Sequence, residues 1–185
     1  MLGPDDALPA RPCRVLVAGT SGSGKTTLAA RVAAVLGVPH VEVDALFHGP
    51  LWTRRTTFEA DVEAFSAGQA WACEWQYTDV RPLLATRADL LVWLDLPRST
   101  VMRQVAVRTL RRRLRRERLW GVNLEPPLRT LLTDPDHIVR WAWRTHCRTA
   151  GRIGWLLTTY PALPVVRLTS RSAVDRWVGG PLASS

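Results

Sequence analysis

The strongest chemical pattern in the sequence is a run of eight residues, Gly19-Thr20-Ser21-Gly22-Ser23-Gly24-Lys25-Thr26. The run matches G-x-x-x-x-G-K-[ST] at every position, and it lies between an apolar strand pattern, RVLVA, and a helical pattern, KTTLAARVAAVL. Such glycines allow a turn whose backbone N–H groups point at phosphate oxygens, and the helix start adds partial positive charge. We therefore predict an ATP site at residues 19–27, which includes Thr27. In it Lys25 reaches the β- and γ-phosphates and Thr26 binds Mg²⁺.

The phosphate-binding motif alone does not distinguish kinases from GTPases, other ATPases or motor proteins. A GTPase is expected to carry an N/TKxD-type sequence that reads the base, and Lys25 is the only lysine in the chain. A large ATPase would need more than 185 residues. Small size and an arginine-rich segment late in the chain favour a small-molecule kinase.

Three carboxylates lie at the ends of predicted strands, where ligands gather in an open α/β sheet: Asp44, Glu74 and Asp95. Glu74 is the preferred second acid, because it could hold a Mg²⁺-bound water or accept the proton of an acceptor hydroxyl. It could instead pair with a nearby arginine. Asp95 follows an apolar run, as a metal-binding acid would, but it could equally be a favourable charge at the start of the next helix.

Asp44 could hydrogen-bond an acceptor hydroxyl, or it could cap a short turn. Aromatic side chains gather near these acids in the sequence and could form the wall of an acceptor pocket, although core packing explains some of them equally well: Phe47, His48, Trp52, Trp75 and Tyr77. We assign Asp44, Phe47, His48, Trp52, Tyr77 and Arg81 to the acceptor side. The Cys, His and Asp residues show no metal-ligand spacing, so we expect no metal site made by protein ligands alone.

A dense group of arginines lies between residues 103 and 118, namely Arg103, Arg108, Arg111, Arg112, Arg113, Arg115, Arg116 and Arg118. On a helix, one face of this group could point at the phosphates and stabilise charge on the transferring group. We predict that Arg108 and Arg112 bind the nucleotide and that Arg112 and Arg116 act in catalysis. A solvated basic face and a nucleic-acid contact remain alternatives.

Five short apolar runs with β-branched content predict strands at residues 14–18, 40–43, 71–74, 90–94 and 164–168. Helical patterns fall at residues 25–36, 57–68, 80–88, 98–119, 136–157 and 172–178. This alternation predicts a doubly wound, mostly parallel sheet with helices on both faces. We expect one domain over residues 13–179, with a lid at about 112–127, a disordered lead-in at 1–12 and a frayed tail at 180–185.

The composition adds a preference for anions, since 25 Lys and Arg residues against 16 Asp and Glu residues give a net charge of +9. Three separated cysteines suit a reducing compartment, and no apolar run reaches the roughly 20 residues of a membrane span. The first residues have no apolar core of a signal peptide. We therefore expect a cytoplasmic protein that does not bind membranes, either a monomer or a homodimer.

Longer segments recur in an order similar to that of one family: GTSGSGKT, VDALFHGPLW, EWQY, RADLLVWLDLP and LWGVNLEPP. The chain resembles, over residues 14–178, the P-loop kinase-like proteins called DNA topology modulation proteins (FlaR-type), which are related in fold to adenylate and shikimate kinases. The resemblance implies a nucleoside-monophosphate-kinase-like P-loop fold of three α/β/α layers, with five parallel strands in the order 2-3-1-4-5. It also implies an acceptor side near Asp44, a lid near 112–123 and an adenine-side loop at 169–173.

The family often has Asp-Gly-Asn-Tyr where this chain has Glu74-Trp75-Gln76-Tyr77, so the acid and the tyrosine are kept and the glycine is replaced.

Two hypotheses follow. The first is a kinase that uses ATP and Mg²⁺ to phosphorylate a small acceptor, and the second is a nucleotide-dependent DNA-binding regulator. No DNA-reading motif is visible in the sequence, and the acids at the strand ends favour the first.

Overall fold

A parallel five-stranded sheet organises the chain in the computed structural model, which describes residues 1–115, 118–119, 123–124 and 138–185. The described strands are β1 (Arg14–Gly19), β2 (His40–Val41), β3 (Trp71–Glu74), β4 (Leu90–Leu94), β5 (Arg118–Leu119), β6 (Asn123–Leu124) and β7 (Val165–Leu168). The main sheet has the order β2-β3-β1-β4-β7 with every pairing parallel, and β5 pairs with β6 antiparallel. This is the predicted order 2-3-1-4-5.

The helices lie between the strands of this sheet. They are α1 (Lys25–Leu36), α2 (Val43–Phe47), α3 (Phe58–Ser66), α4 (Arg81–Arg87), α5 (Arg98–Arg115), α6 (Ile138–Thr145), α7 (Arg148–Thr159) and α8 (Arg171–Gly179), with a 3₁₀ turn at Pro50–Trp52. None of the described helices is long and apolar enough to cross a membrane.

The core consists of two apolar layers, one on each face of the sheet. Along β1, Val15 and Val17 join the layer under α1 and α8, and Leu16 and Ala18 join the layer under α3, α4 and α7. Successive side chains of a strand point to opposite faces, so a strand buried on both sides is apolar throughout. The predicted three-layer α/β/α fold is confirmed.

The end of β2 differs from its prediction. The strand covers His40–Val41 rather than residues 40–43, because α2 begins at Val43. The N–H of Val43 donates to Oε2 of Glu74 at 3.0 Å, so a carboxylate at the end of β3 satisfies a backbone donor at the helix start. A side chain from a neighbouring strand thus turns the chain out of the sheet.

Two long helical predictions were also wrong in their extent. Helix α5 ends at Arg115 rather than at residue 119, and residues 118–119 belong to β5. The predicted helix 136–157 is two helices, α6 and α7, separated at residues 146–147. Of the predicted lid at 112–127, residues 116–117, 120–122 and 125–127 lie outside the described part of the chain.

Residues near both ends of the chain, at 1–12 and 180–185, contact the domain in the structure. The N–H of Leu2 donates to the carbonyl of Val165 at 2.7 Å, and the N–H of Arg167 donates to the carbonyl of Leu2 at 2.9 Å. The first residues therefore add a short pairing to the edge strand β7. At the other end, Leu182 is fully buried against Trp177 and the layer under α8. Burial of these apolar side chains stabilises segments that look like polar, proline-rich ends.

Candidate functional site

The phosphate-binding motif forms the turn between β1 and α1 and packs closely against α5. Gly22 and Gly24 have φ of +82° and +97°, a region that favours glycine. A Cβ atom on Gly22 would lie 2.0 Å from Cγ2 of Val105, so α5 leaves no space for a side chain there. The ammonium of Lys25 folds back and donates to the carbonyl of Thr20 at 3.2 Å. The loop thus has the compact cradle expected of a phosphate site.

Charges of both signs surround Lys25. Burial lowers its pKa, and the carboxylates of Asp44 and Glu74 oppose that effect. The guanidiniums of Arg108 and Arg152 lower the pKa further. The predicted phosphate lysine therefore lies within the electrostatic influence of two acids and two arginines.

The other predicted residues of the loop differ in their exposure. The Thr20 hydroxyl lies 3.3 Å from the carbonyl of His146 and 3.3 Å from the hydroxyl of Thr149, which joins the loop to α7. Ser23 is buried and its N–H donates to the carbonyl of Thr20 at 3.0 Å, whereas the side chain of Thr27 is exposed. Gly19, Ser21 and Thr26 are partly buried. Phosphate contacts would therefore come mainly from backbone N–H groups and from Lys25 and Thr26.

Glu74 is buried at the end of β3, with 1% of its surface exposed. Its Oε2 accepts the Val43 hydrogen bond, while Oε1 lies 3.8 Å from Nε2 of His40 and accepts no hydrogen bond from the described residues. A buried carboxylate oxygen without a partner is costly unless something binds it. A water molecule bound to Mg²⁺ would satisfy this oxygen.

Asp95, the competing acid, already has a partner. Its Oδ2 accepts hydrogen bonds from Nε of Arg167 at 2.8 Å and from a terminal nitrogen of Arg167 at 2.5 Å. The Arg167 guanidinium also lies 5.1 Å from the ring centroid of Trp93. This pair at the β4–β7 edge of the sheet occupies the carboxylate, so the geometry favours Glu74 as the metal-side acid.

Asp44, on α2, is held by one of its two carboxylate oxygens. Its Oδ1 accepts hydrogen bonds from the amide of Gln76 at 2.6 Å and from the hydroxyl of Tyr77 at 2.5 Å. Its Oδ2 accepts no hydrogen bond from any residue in the described part of the chain. The side chain is thus fixed in place, and one oxygen is left for another molecule.

Tyr77 is itself firmly positioned. Its ring stacks on Phe47 with centroids 4.0 Å apart, and its φ is +60°, an uncommon value for a residue with a side chain. Burial, followed by the charge of Asp44 and the hydrogen bond to it, raises the pKa of Tyr77, so the hydroxyl stays protonated and donates to Asp44. A strained backbone held by packing of this kind is common at functional sites.

His48 and Trp52 extend the aromatic group that Phe47 and Tyr77 form. Nε2 of His48 lies 3.3 Å from the Tyr77 hydroxyl, and the His48 and Trp52 rings meet edge to face at 5.2 Å. Burial lowers the pKa of His48, so its imidazole is neutral at neutral pH. Trp75, which was predicted to lie with them, is not part of this aromatic group. It is buried, and its indole N–H donates to the carbonyl of Arg81 at 3.2 Å.

Of the predicted arginines, Arg108 lies near enough to the loop to influence Lys25, and Arg112 lies one turn further along α5. Arg116 is outside the described residues. Two residues were not predicted from the sequence: Arg152 on α7, whose charge acts on Lys25, and Gln76, whose amide donates to Asp44. The asparagine of the Asp-Gly-Asn-Tyr pattern was a usable signal for Gln76, since both side chains end in an amide. Nothing in the sequence separates Arg152 from the other arginines.

Comparison with models of known protein families gave no match, and neither did comparison with curated protein sequences. Among solved structures, a gluconokinase from Sinorhizobium meliloti 1021 is similar, with 18% identity, 94% of this chain and 93% of that chain covered, and a TM-score of 0.54. A shikimate kinase from Bacteroides thetaiotaomicron is 15% identical, with 91% and 95% covered and a TM-score of 0.49. At such identities the first likeness shows a shared P-loop kinase fold, and the resemblance to the DNA topology modulation family stays a prediction.

Proposed function

We propose that this protein is a kinase that transfers the γ-phosphoryl group of ATP to a hydroxyl group of a small acceptor. The observation that carries the proposal is the carboxylate of Asp44. It is oriented by Gln76 and Tyr77 through Oδ1, it leaves Oδ2 open, and it influences Lys25 of the phosphate loop. A positioned base beside a phosphate cradle is the arrangement that phosphorylation of an alcohol requires.

The reaction uses these groups in sequence. Oδ2 of Asp44 accepts the proton of the acceptor hydroxyl as its oxygen forms a bond to the γ-phosphorus. The bond from that phosphorus to the bridging oxygen of ADP breaks, and ADP leaves with its electron pair. Lys25 stabilises the charge that develops on the phosphoryl oxygens, and Arg108, whose charge also acts on Lys25, would add to this.

Thr26 and Glu74 are the residues that would hold Mg²⁺, the former by its hydroxyl and the latter through a water on Oε1. When bound, the metal neutralises charge on the phosphates and orients them. The resemblance to the DNA topology modulation proteins agrees with the proposal, since it implies the same ATP-binding, kinase-like fold. The likeness to a gluconokinase supports the fold on which this chemistry is placed.

The test is an acceptor screen with ATP and Mg²⁺ in which ADP formation is compared with a reaction that lacks acceptor. Polyols, sugars, sugar acids, nucleosides and nucleotides form the panel. We expect acceptor-dependent ADP in the wild type and its loss in both Lys25→Ala and Asp44→Asn, with Asp44→Asn still binding ATP. Acceptor-dependent ADP that survives in Asp44→Asn would remove the role of this carboxylate as base.

A further inference from the structure

Three arginines on α4 and α7 form no ion pair with any carboxylate of the described residues. Arg81 begins α4, and Arg148 and Arg152 lie one turn apart on α7. Among the described residues, no carboxylate lies within ion-pair distance of Arg81 or of Arg152. Asp79, the acid that influences Arg81, is bound by Arg54 at 2.9 Å. Like charges held together without a counter-charge favour the binding of an anion.

Arg81 is fixed beside the Asp44 network rather than spread over the surface. The backbone N–H of Arg81 donates to the carbonyl of Tyr77 at 3.1 Å, so Arg81 belongs to the same turn as the tyrosine that orients Asp44. Its guanidinium lies 5.7 Å from the ring centroid of Trp75, whose indole N–H holds the carbonyl of Arg81. Its Nε is buried and has no hydrogen-bond partner in the described part of the chain. A buried donor of this kind calls for an acceptor atom.

Arg152 connects this position to the phosphate loop. One turn before it, Thr149 lies 3.3 Å from the Thr20 hydroxyl, and the next residue, Ile153, packs in the same apolar layer as Trp75. The end of α7 reaches α4, because the Tyr160 hydroxyl donates to the carbonyl of Pro82 at 3.4 Å. Helix α7 therefore runs from the loop to the start of α4.

Electrostatic influence agrees with this path of α7. Arg152 is among the charges that act on Lys25, and it acts on Arg81 as well. Burial and then the charge of Arg152 lower the pKa of Arg81 to about 10. An anion between the two guanidiniums would relieve both the burial and the repulsion.

We propose that the acceptor carries an anionic oxygen group, a carboxylate or a phosphate monoester, and that Arg81 and Arg152 bind this group while Asp44 receives the hydroxyl. The inference rests on the proposed function for the role of the ligand as acceptor, but the anion site stands on its own geometry. Guanidiniums bind such groups with two parallel hydrogen bonds, which orient the ligand as well as attract it. The substrate class is then a small hydroxy acid or hydroxy phosphate rather than a neutral polyol.

The test measures binding by NMR at the Nε–H signal of Arg81, with a non-hydrolysable ATP analogue and Mg²⁺ present. Matched probes are D-gluconate against D-glucitol for the carboxylate, and glycerol 3-phosphate against glycerol for the phosphate. We expect at least one charged probe to shift the signal and its neutral partner to leave it unchanged. The arm that binds more tightly identifies the anionic group.

Variants separate this site from general attraction to a basic protein. Binding to the variants is followed at the indole N–H signal of Trp75, whose ring lies beside the Arg81 guanidinium. Arg81→Gln should weaken binding of the charged probe by about tenfold or more, and Arg81→Lys by less, since it keeps the charge but loses the paired hydrogen bonds. Arg31→Gln, which removes an exposed arginine paired with Asp175, should leave it unchanged. Equal binding in Arg81→Gln, equal binding of the neutral probes, or no shift at about 10 mM of either anion would overturn the proposal.

Failure of the anion site and failure of the proposed kinase activity give different experimental results. Binding is measured without turnover, so an anion site could be present in a protein that fails every phosphotransfer assay. Conversely, efficient phosphorylation of a neutral polyol would support the kinase and contradict the anionic acceptor.

Discussion

At the scale of single residues, the two oxygens of Asp44 have different surroundings. Oδ1 accepts both hydrogen bonds that the described residues donate to this carboxylate, from Gln76 and from Tyr77, and this fixes the direction of Oδ2. A general base must first lie within hydrogen-bond reach of the proton that it accepts, and only then does its basicity affect the rate. The residues that hold Oδ1 should therefore affect the chemical step without touching the nucleotide.

Replacement of Tyr77 by Phe tests this role. We expect kcat to fall about tenfold, which is about 1.4 kcal/mol in the barrier, with the KM for ATP unchanged. In an Asp44→Asn background the same replacement should not lower kcat further, because the effects of residues that act as a unit do not add. Tyr160→Phe, which removes an exposed hydroxyl bonded to Pro82, is the control. Fully additive losses in the double variant would show that Tyr77 acts by another route.

Glu74→Gln distinguishes the two candidate metal-side acids. The amide oxygen of glutamine can still accept the Val43 hydrogen bond, so the fold should survive, while turnover should fall by about 10²-fold or more with ATP affinity nearly intact. Asp95→Asn should change turnover little, because it removes only a partly exposed pair with Arg167. Steady-state kinetics of both variants decide the matter, and the reverse ranking would move the role to Asp95.

The lowered pKa of His48 predicts a dependence of stability on pH. Burial disfavours the imidazolium in the folded state, although the charge of Asp44 partly opposes this. The unfolded chain then takes up a proton first, so the free energy of unfolding should decrease as the pH falls below about 6.5. Denaturant unfolding between about pH 7 and about pH 5 should show a shallower decrease in His48→Gln than in the wild type. Parallel curves would mean that another group causes the loss.

The residues of the site differ in how far the sequence could reveal them. Lys25, Asp44, Glu74 and Tyr77 were predicted because each lies in a motif or at a strand end, where a parallel sheet gathers its ligands. Arg152 was not, because its role depends on the path of α7 from Thr149 to Tyr160 across the sheet. A position that depends on tertiary packing leaves no local trace in an arginine-rich chain.

At the scale of elements, contact between the phosphate loop and α5 determines the shape of the cradle. Gly22→Ala would place a Cβ 2.0 Å from Val105 and strain a backbone with φ of +82°, so ATP affinity should fall by about tenfold or more. Val105→Ala in addition should restore part of it by removing the clash but not the strain. Gly154→Ala, where nothing lies within 4 Å, should instead add about 0.5–1 kcal/mol of stability. Calorimetry with ATP and Mg²⁺ measures the first two, and unchanged affinity in Gly22→Ala would contradict this account.

The boundaries of elements show the limit of pattern reading in the same way. Alternation of strands and helices correctly predicted the sheet, because apolar periodicity reflects burial. The early end of β2 was missed, since it depends on Glu74 from another strand. The break between α6 and α7 was also missed, because it involves contacts with residues far away in the sequence. The carbonyl of His146 accepts a hydrogen bond from Thr20, and the His146 ring lies 3.1 Å from the carbonyl of Leu96. Long-range hydrogen bonds override local helical preference.

At the scale of the whole molecule, the net charge of +9 attracts nucleotides and nucleic acids alike, so charge alone does not choose between a kinase and a DNA-binding regulator. The distribution of the arginines is more informative. On α5, Arg108 is partly buried and influences Lys25, whereas Arg103 is exposed. The same helix therefore offers one arginine near the loop and one matched control.

If the arginines of α5 serve phosphoryl transfer, Arg108→Ala should lower kcat by a large factor, about 10²-fold, while Arg103→Ala is nearly silent. Any binding to duplex DNA should be weak and equally sensitive to either change. Its affinity would fall with salt at a log–log slope of about −0.9 for each phosphate neutralised, because it depends on total charge rather than on position. ATP turnover and duplex affinity, measured for both variants at several salt concentrations, separate the two roles. Equal losses of duplex binding with no change in turnover would favour the DNA-binding regulator, since only a kinase requires Arg108 and Arg103 to differ.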